Sequence, residues 1–210
     1  MFDVQLVTQN IEIDELEVMV SQMGVEGFIG FSLQQELDKK EVLRLLNEMS
    51  LKRMIEVKEK GFEIKQPYLE LVEEVARAKV TLVISPRSLE HIKKCFYIGD
   101  YTVIASHSRI SKKRIDFTKI ENDQIAKEIR ECGYLFDEDE ETDIGSCDIS
   151  PSSKDEILKI SVYESGSFLE NIVLTKIDGK KIIGILTVND TQYYPYSFEQ
   201  FEKTILEVCS

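Results

Sequence analysis

The apolar positions of this chain change period partway along it, and the change divides the sequence into predicted elements. Ile13, Leu16, Val20 and Met23 share one helical face that stops at Gly24. A short strand is predicted at residues 28–31. Asp38 with Glu41 three residues on reads as a helix start, and Val42, Leu45, Leu46 and Met49 continue it as an amphipathic stripe. Ser50 then reads as the cap of a further helical segment bearing Leu51, Met54 and Ile55 and ending at Gly61. Pro67 suits the first position of the next helix, with Leu69, Val72 and Ala76 on one side.

From Val80 the runs become short and β-rich: residues 80–84, 96–98, 102–106 and 114–117, with Gly99-Asp100 as a turn. They read as an antiparallel meander, closed by a helix over residues 122–132 that buries Ile125, Ile129 and Cys132. After it, Leu158, Ile160 and Val162 alternate with polar residues as in a half-buried strand. Ser165-Gly166-Ser167 turns the chain, and Asp178-Gly179 between residues 171–177 and 181–188 is a two-residue hairpin signal. Ser197 with Gln200 starts a last helix carrying Phe201, Ile205 and Val208.

The fold class expected is therefore mixed α+β, with antiparallel sheets flanked by helices. The order "meander, then closing helix" occurs twice, which suggests a quasi-twofold arrangement of two similar halves. Between them lies Asp137-Glu138-Asp139-Glu140-Glu141-Thr142-Asp143, a like-charge run that favours a solvated loop, extended by Ser150-Pro151-Ser152-Ser153. The boundaries that follow are an N-terminal α/β half at 1–134, an acidic linker or loop at 135–155, and a C-terminal meander with its helix at 156–210. One continuous domain built from both halves fits the same pattern.

Composition narrows the function classes. The 210 residues are 42% hydrophobic and 31% charged, as in folded water-soluble proteins. The net charge of −13 argues against binding a nucleic-acid backbone or an anionic membrane surface. That acidity is uneven: residues 1–134 carry 20 Lys/Arg against 23 Asp/Glu, and residues 135–210 carry 6 against 16. No leader-like N-terminus and no apolar run of about 18 residues is seen, so a cytoplasmic protein without membrane insertion is expected. Cys95, Cys132, Cys147 and Cys209 form no C-x-x-C pair, which points to reduced, structural thiols and not to a zinc or redox motif.

Chemistry has few footholds. His91 and His107 are the only histidines, and the serines beside His107 would point to the other strand face, so neither forms a nucleophile–base pair. Asp137, Asp139 and Glu141 space like the first ligands of an EF-hand, but Thr142 stands where glycine is required and Asp148 where a bidentate glutamate is. Phosphate-loop, dinucleotide, nucleophile-elbow and zinc-protease motifs do not occur. No catalytic residue, metal ligand or cofactor is assigned, and an enzyme is not expected.

Two segments look like partner-binding surface. One is the basic hairpin tip with Arg109, Ile110, Lys112 and Lys113, an apolar residue among cations in an acidic protein; a plain solvated loop is its simpler reading. The other is Tyr193, Tyr194 and Tyr196, aromatic area with polar tips, for which rings packed on a β-edge is an equal alternative.

Residues 31–133 resemble the EspG-type substrate chaperones of type VII secretion and their shorter EsaE-like relatives. The resemblance lies in Phe31-Ser32-Leu33 before a helix, Lys60-Gly61-Phe62, Pro67-Tyr68-Leu69, a strand over 78–84, Tyr97-Ile98-Gly99-Asp100, and Arg114-Ile115-Asp116. It implies an α/β fold with quasi-twofold symmetry. It also implies a cytosolic chaperone or adaptor that holds exported helical proteins or toxins soluble and hands them to the secretion machinery, its ATPase included. By position, substrate contacts would fall at the Arg109 to Lys113 loop and at Tyr193 to Tyr196. The chain is shorter than the mycobacterial members and more acidic in its second half. A different class, an immunity protein that occludes a co-encoded toxin, also suits a small acidic protein.

Overall fold

Antiparallel pairing of short β-rich runs dominates the computed structural model, which describes residues 9–24, 29–31, 37–87, 93–111, 113–136, 156–177 and 179–209. The predicted strand at 28–31 is not formed at its described residues 29–31. The expected linker run 137–143, Ser150 to Ser153, His91, Cys147, Lys112 and Asp178 lie outside the described residues.

The chain begins with strand β1 (Gln9–Glu12) and helix α1 (Ile13–Gln22), whose buried face is Leu16, Met19 and Val20. Helix α2 (Lys39–Leu51) starts as predicted: the Asp38 carboxylate accepts from the Glu41 N–H while Glu41 reaches back to the Asp38 N–H. The expected helical segment after Ser50 is corrected. The Met54 N–H closes the helix end onto the Met49 carbonyl, Arg53 turns the chain at φ 60°, and residues 55–64 form a hairpin of β2 (Ile55–Val57) and β3 (Phe62–Ile64). Leu51, Met54 and Ile55 fit a helical face by spacing, but β-branched Ile55 and Val57 pair across to Ile64 and Phe62 instead. Helix α3 (Tyr68–Ala76) follows directly on Pro67.

Four strands then run as the predicted meander: β4 (Val80–Pro86), β5 (Lys94–Ile98), β6 (Thr102–His107) and β7 (Arg114–Ile120). Helix α4 (Ile125–Glu131) closes them. A second meander follows, with β8 (Glu156–Glu164), β9 (Ser167–Ile177), β10 (Lys180–Thr187) and β11 (Thr191–Pro195), and helix α5 (Phe198–Val208) closes that one. Pairing of β4 with β8 joins β1 and both meanders into one sheet of nine strands among the described residues, in the order β1-β7-β6-β5-β4-β8-β9-β10-β11, while β2 and β3 stay a separate pair. The fold is thus mixed α+β on a large antiparallel sheet. β1 and the small β2–β3 hairpin carried no predicted strand signal.

Two cores lie on opposite faces of this sheet. One joins Leu16, Met19, Leu45, Met49 and Val72 of α1 to α3 with Val83, Cys95, Val103 and Phe117. The other joins Ile125 and Ile129 of α4 and Phe201 and Ile205 of α5 with Leu82, Phe96, Ile104, Leu158, Ile160, Ile172 and Ile183. Strands β4 to β6 are therefore covered on both sides, which is why successive residues such as Leu82-Val83-Ile84, Cys95-Phe96 and Val103-Ile104-Ala105 are apolar. The second core takes side chains from before and after residues 135–155, so both segments bury apolar surface against each other.

That shared core makes a prediction. Phe201→Ala should cost about 3–5 kcal/mol and lower the urea midpoint equally for a probe in β5–β6 and one in β9–β10, in a single transition. Two separate midpoints would contradict a common core.

Candidate functional site

The β6–β7 hairpin places the predicted basic tip at one end of the strands. Ser108 is buried, its N–H bonded to the Arg114 carbonyl at 2.8 Å and its hydroxyl accepting the Ile110 N–H. Ser111 holds the other side, with its carbonyl taking the Arg114 N–H and its hydroxyl the Lys113 N–H. On this braced turn Ile110 is 96% exposed, and Arg109 and Lys113 are exposed with no ion pair among the described residues. The tip presents an exposed aliphatic side chain, on a hydrogen-bonded backbone turn, between cations that have no ion pair among the described residues.

Behind the tip lies a cleft of about 720 Å3, lined by Asn10, Lys94, Ser106, His107 and Asp116 together with Arg109, Ile110 and Arg114. Register explains its polarity. Lys94 pairs with Ser106, Ser106 with Asp116, and Asp116 with Asn10, so these four side chains form one polar row across β5, β6, β7 and β1. The row faces the α4 side of the sheet but extends past the helix, which leaves room for water and polar groups where the core stops.

Lys94 anchors the inner end of the row. Its ammonium lies 3.0 Å from a Glu128 oxygen and 2.8 Å from the Cys132 sulfur of the α4 end. Burial works against the Lys94 charge, but the bonds to Cys132 and Glu128 outweigh it and raise its proton affinity above the ordinary lysine range. Burial pushes the Cys132 thiol up, against the opposing pull of the Lys94 ammonium. At the outer end Asn10 donates to Asp116, and Arg114 stands 3.6 Å from Glu12.

His107 closes the wall on the opposite sheet face. Its ring meets Phe31 edge-on at 5.0 Å, and its Nδ1 is buried without a hydrogen-bond partner among the described residues. The sequence expectation that Ser106 and Ser108 point away from His107 fits the alternation, because His107 pairs with Ile115 of the first core while Ser106 pairs with Asp116 of the polar row. Phe31 is held there through its neighbours. Tyr97 donates to the Ile29 carbonyl at 2.6 Å, Lys93 donates to the Gly30 carbonyl, and Gly30 at φ +110° comes so near Cys95 that a Cβ would sit 2.2 Å from its sulfur.

The tyrosines lie elsewhere. β11 is the opposite edge of the sheet, six strand spacings from β6, or roughly 30 Å at about 4.8 Å each. Tyr193 and Tyr194 are half-buried: the Tyr193 ring lies over Gly184, which has no Cβ to obstruct it, and the Tyr194 hydroxyl donates to Gln192. Tyr196 as a partner contact is corrected. It is 2% exposed, stacks edge-on against Phe136 at 4.9 Å and belongs to the second core. The two predicted surfaces therefore do not form one site, and the cleft beside the tip takes no lining from the tyrosines.

The polar row was missed by sequence reasoning, because its members become neighbours only once the register, including that of β1, is known. Asp116 between Ile115 and Phe117 carried a local signal, a carboxylate alternating with core residues. Among the thiols, Cys95 and Cys209 are pushed up to about 12 by burial, and these two and Cys132 are free. Among the described residues no group of three metal-ligating side chains occurs, and no helix is long and apolar enough to cross a membrane. No family model matches the chain, and no curated protein matches it either.

Exposure and burial separate the two sets of predicted contacts experimentally. Ile110→Ser should change stability by less than about 0.5 kcal/mol, whereas Tyr196→Ala should cost about 3–5 kcal/mol, both read from chemical denaturation. A large loss at Ile110 would mean that the tip is part of the fold and not a free surface.

Proposed function

We propose that this protein is a non-catalytic, cytosolic substrate-binding chaperone or adaptor of the type VII secretion kind, which grips an exported helical protein or toxin through the β6–β7 tip and its cleft. The observation that carries the reading is Ile110, 96% exposed on a hydrogen-bonded turn between Arg109 and Lys113, which have no ion pair among the described residues, beside a cleft of about 720 Å3. A braced backbone turn leaves less chain to order on docking, an exposed apolar side chain offers surface to bury, and neighbouring cations choose among partners and speed their encounter. In a chain of net charge −13, cations left unpaired by so many carboxylates are available for a partner's acidic groups.

The order of elements supports the finer fold reading that goes with this family. β4 to β7 followed by α4, and β8 to β11 followed by α5, repeat one plan, with β4 and β8 adjacent and both helices on the same face. We take this as a quasi-twofold arrangement of two meanders about the β4–β8 junction. The acidity of the second half keeps the free protein apart from its own kind while the tip waits for a substrate.

Purification from the native operon tests the class. A co-purifying helical exported protein is expected; a toxin silenced by binding would replace this reading with the immunity one. With that partner in hand, changing Arg109, Lys112 and Lys113 to Glu should slow association on the order of tenfold at low ionic strength, with a smaller effect on dissociation. Unchanged affinity at low salt would remove the loop from the site, and hydrolytic turnover abolished by His107→Ala would overturn the non-catalytic assignment.

A further inference from the structure

A second cleft of opposite charge lies at the other end of the strands. It encloses about 680 Å3 between the carboxyl end of α5 and the ends of β8, β9 and β10, with Leu169 and Ile185 among its apolar lining. Glu164, Glu170, Asp190 and Glu207 line it against a single cation, Lys79. Two of these carboxylates are already engaged: Asp190 holds the Thr191 N–H, and Glu207 faces Lys203 at 3.8 Å. Glu164 and Glu170 have no ion pair among the described residues.

Glu170 is placed where a core residue would be expected. Its register sets it between Val162, fully buried in the second core, and Thr187, so the carboxylate points to the face that α5 covers. No described cation or donor meets it, and burial alone raises its proton affinity. A half-buried charge without a counter-charge is a standing cost to the fold, and a cation entering from outside would relieve it. The last turn of α5 adds to the same field, since it carries no basic residue against its carbonyl ends. The apolar floor suits the methylene stem of a lysine or arginine better than a hydrated ion.

We propose that this cleft is a second docking site that takes a cationic amphipathic segment of a partner protein, with lysine or arginine stems on the apolar floor and their charges at Glu164 and Glu170. It shares no residue with the tip cleft, and Arg109→Glu should leave it unaffected.

Titration calorimetry at low ionic strength can test this, using a leucine/lysine amphipathic peptide about 18 residues long, its glutamate counterpart, and spermidine. The lysine peptide should bind, and the Glu164→Gln/Glu170→Gln double variant should weaken it by about tenfold or more. The Glu59→Gln/Glu63→Gln variant, of equal net charge but on the exposed β2–β3 hairpin, should change it by less than about twofold. Equal losses in the two double variants, binding of spermidine as tight as that of the peptide, or no binding at all would overturn the proposal. Folding of the test variant is checked by the same physics. Because the folded state raises the Glu170 proton affinity, that group's contribution falls as pH rises from the usual carboxylate range through the folded value. Glu170→Gln should therefore melt no lower than the parent at neutral pH and lose that part of the pH dependence.

Discussion

The pairing of β4 with β8 is the interaction on which the rest of the molecule depends. Seven residue pairs, from Val80 opposite Glu164 to Pro86 opposite Leu158, join two meanders that would otherwise each end in an open edge at the middle of the sheet. Because side chains alternate along a strand, this register also decides which residues face α4 and α5. Leu82 and Ile84 fall beside Val162 and Ile160 on the face those helices cover, and a one-residue slip would put Thr81 and Val83 there instead. Continuous pairing is what lets two helices from distant parts of the chain bury one core.

The same alternation explains where polar groups can gather. Over the middle of β4, β5 and β6 both faces are covered and side chains are mostly apolar, the polar Lys94 and Ser106 standing at strand ends. Toward β1 the helical cover on the α4 side ends, and the row from Lys94 to Asn10 survives as polar because water reaches it. Toward α5 a similar margin leaves Glu170 and Glu164 at the mouth of the acidic cleft. Both clefts are thus products of a sheet wider than the helices laid over it, one at each end of the strands and of opposite charge.

Most of the regular structure was legible in the amino-acid pattern. The capping of α2 by Asp38 and Glu41, the meander from Val80 to Ile120, and the β9–β10 hairpin all rest on contacts between residues close in sequence. What was not legible depends on distant partners. β1 is four residues long and is recognisable only by its pairing with β7, and the β2–β3 hairpin competes with a helical spacing that its residues also satisfy. For the site, the exposed tip could be read from composition because cations flank a lone isoleucine. Tyr196 could not be separated from Tyr193 and Tyr194, since distant partners such as Phe136, packed against its ring, make it interior. The polar row needed four strands in register, which no local pattern contains.

The ends of the sheet have a consequence for how the protein behaves in a crowded cell. In β11 the bonds of Tyr196 to Lys181 and of Thr187 to Asp190 fix the phase, so residues 191, 193 and 195 turn their backbones outward. Thr191 gives its N–H to the Asp190 carboxylate and Pro195 has none, which leaves the Tyr193 amide as the single outward donor of that strand. On β1 the Glu12 amide is spent on Glu15, leaving that of Asn10. A foreign strand arriving at the described part of either border still meets outward carbonyls but only one outward N–H donor, fewer bonds than an unmodified edge of that length would offer.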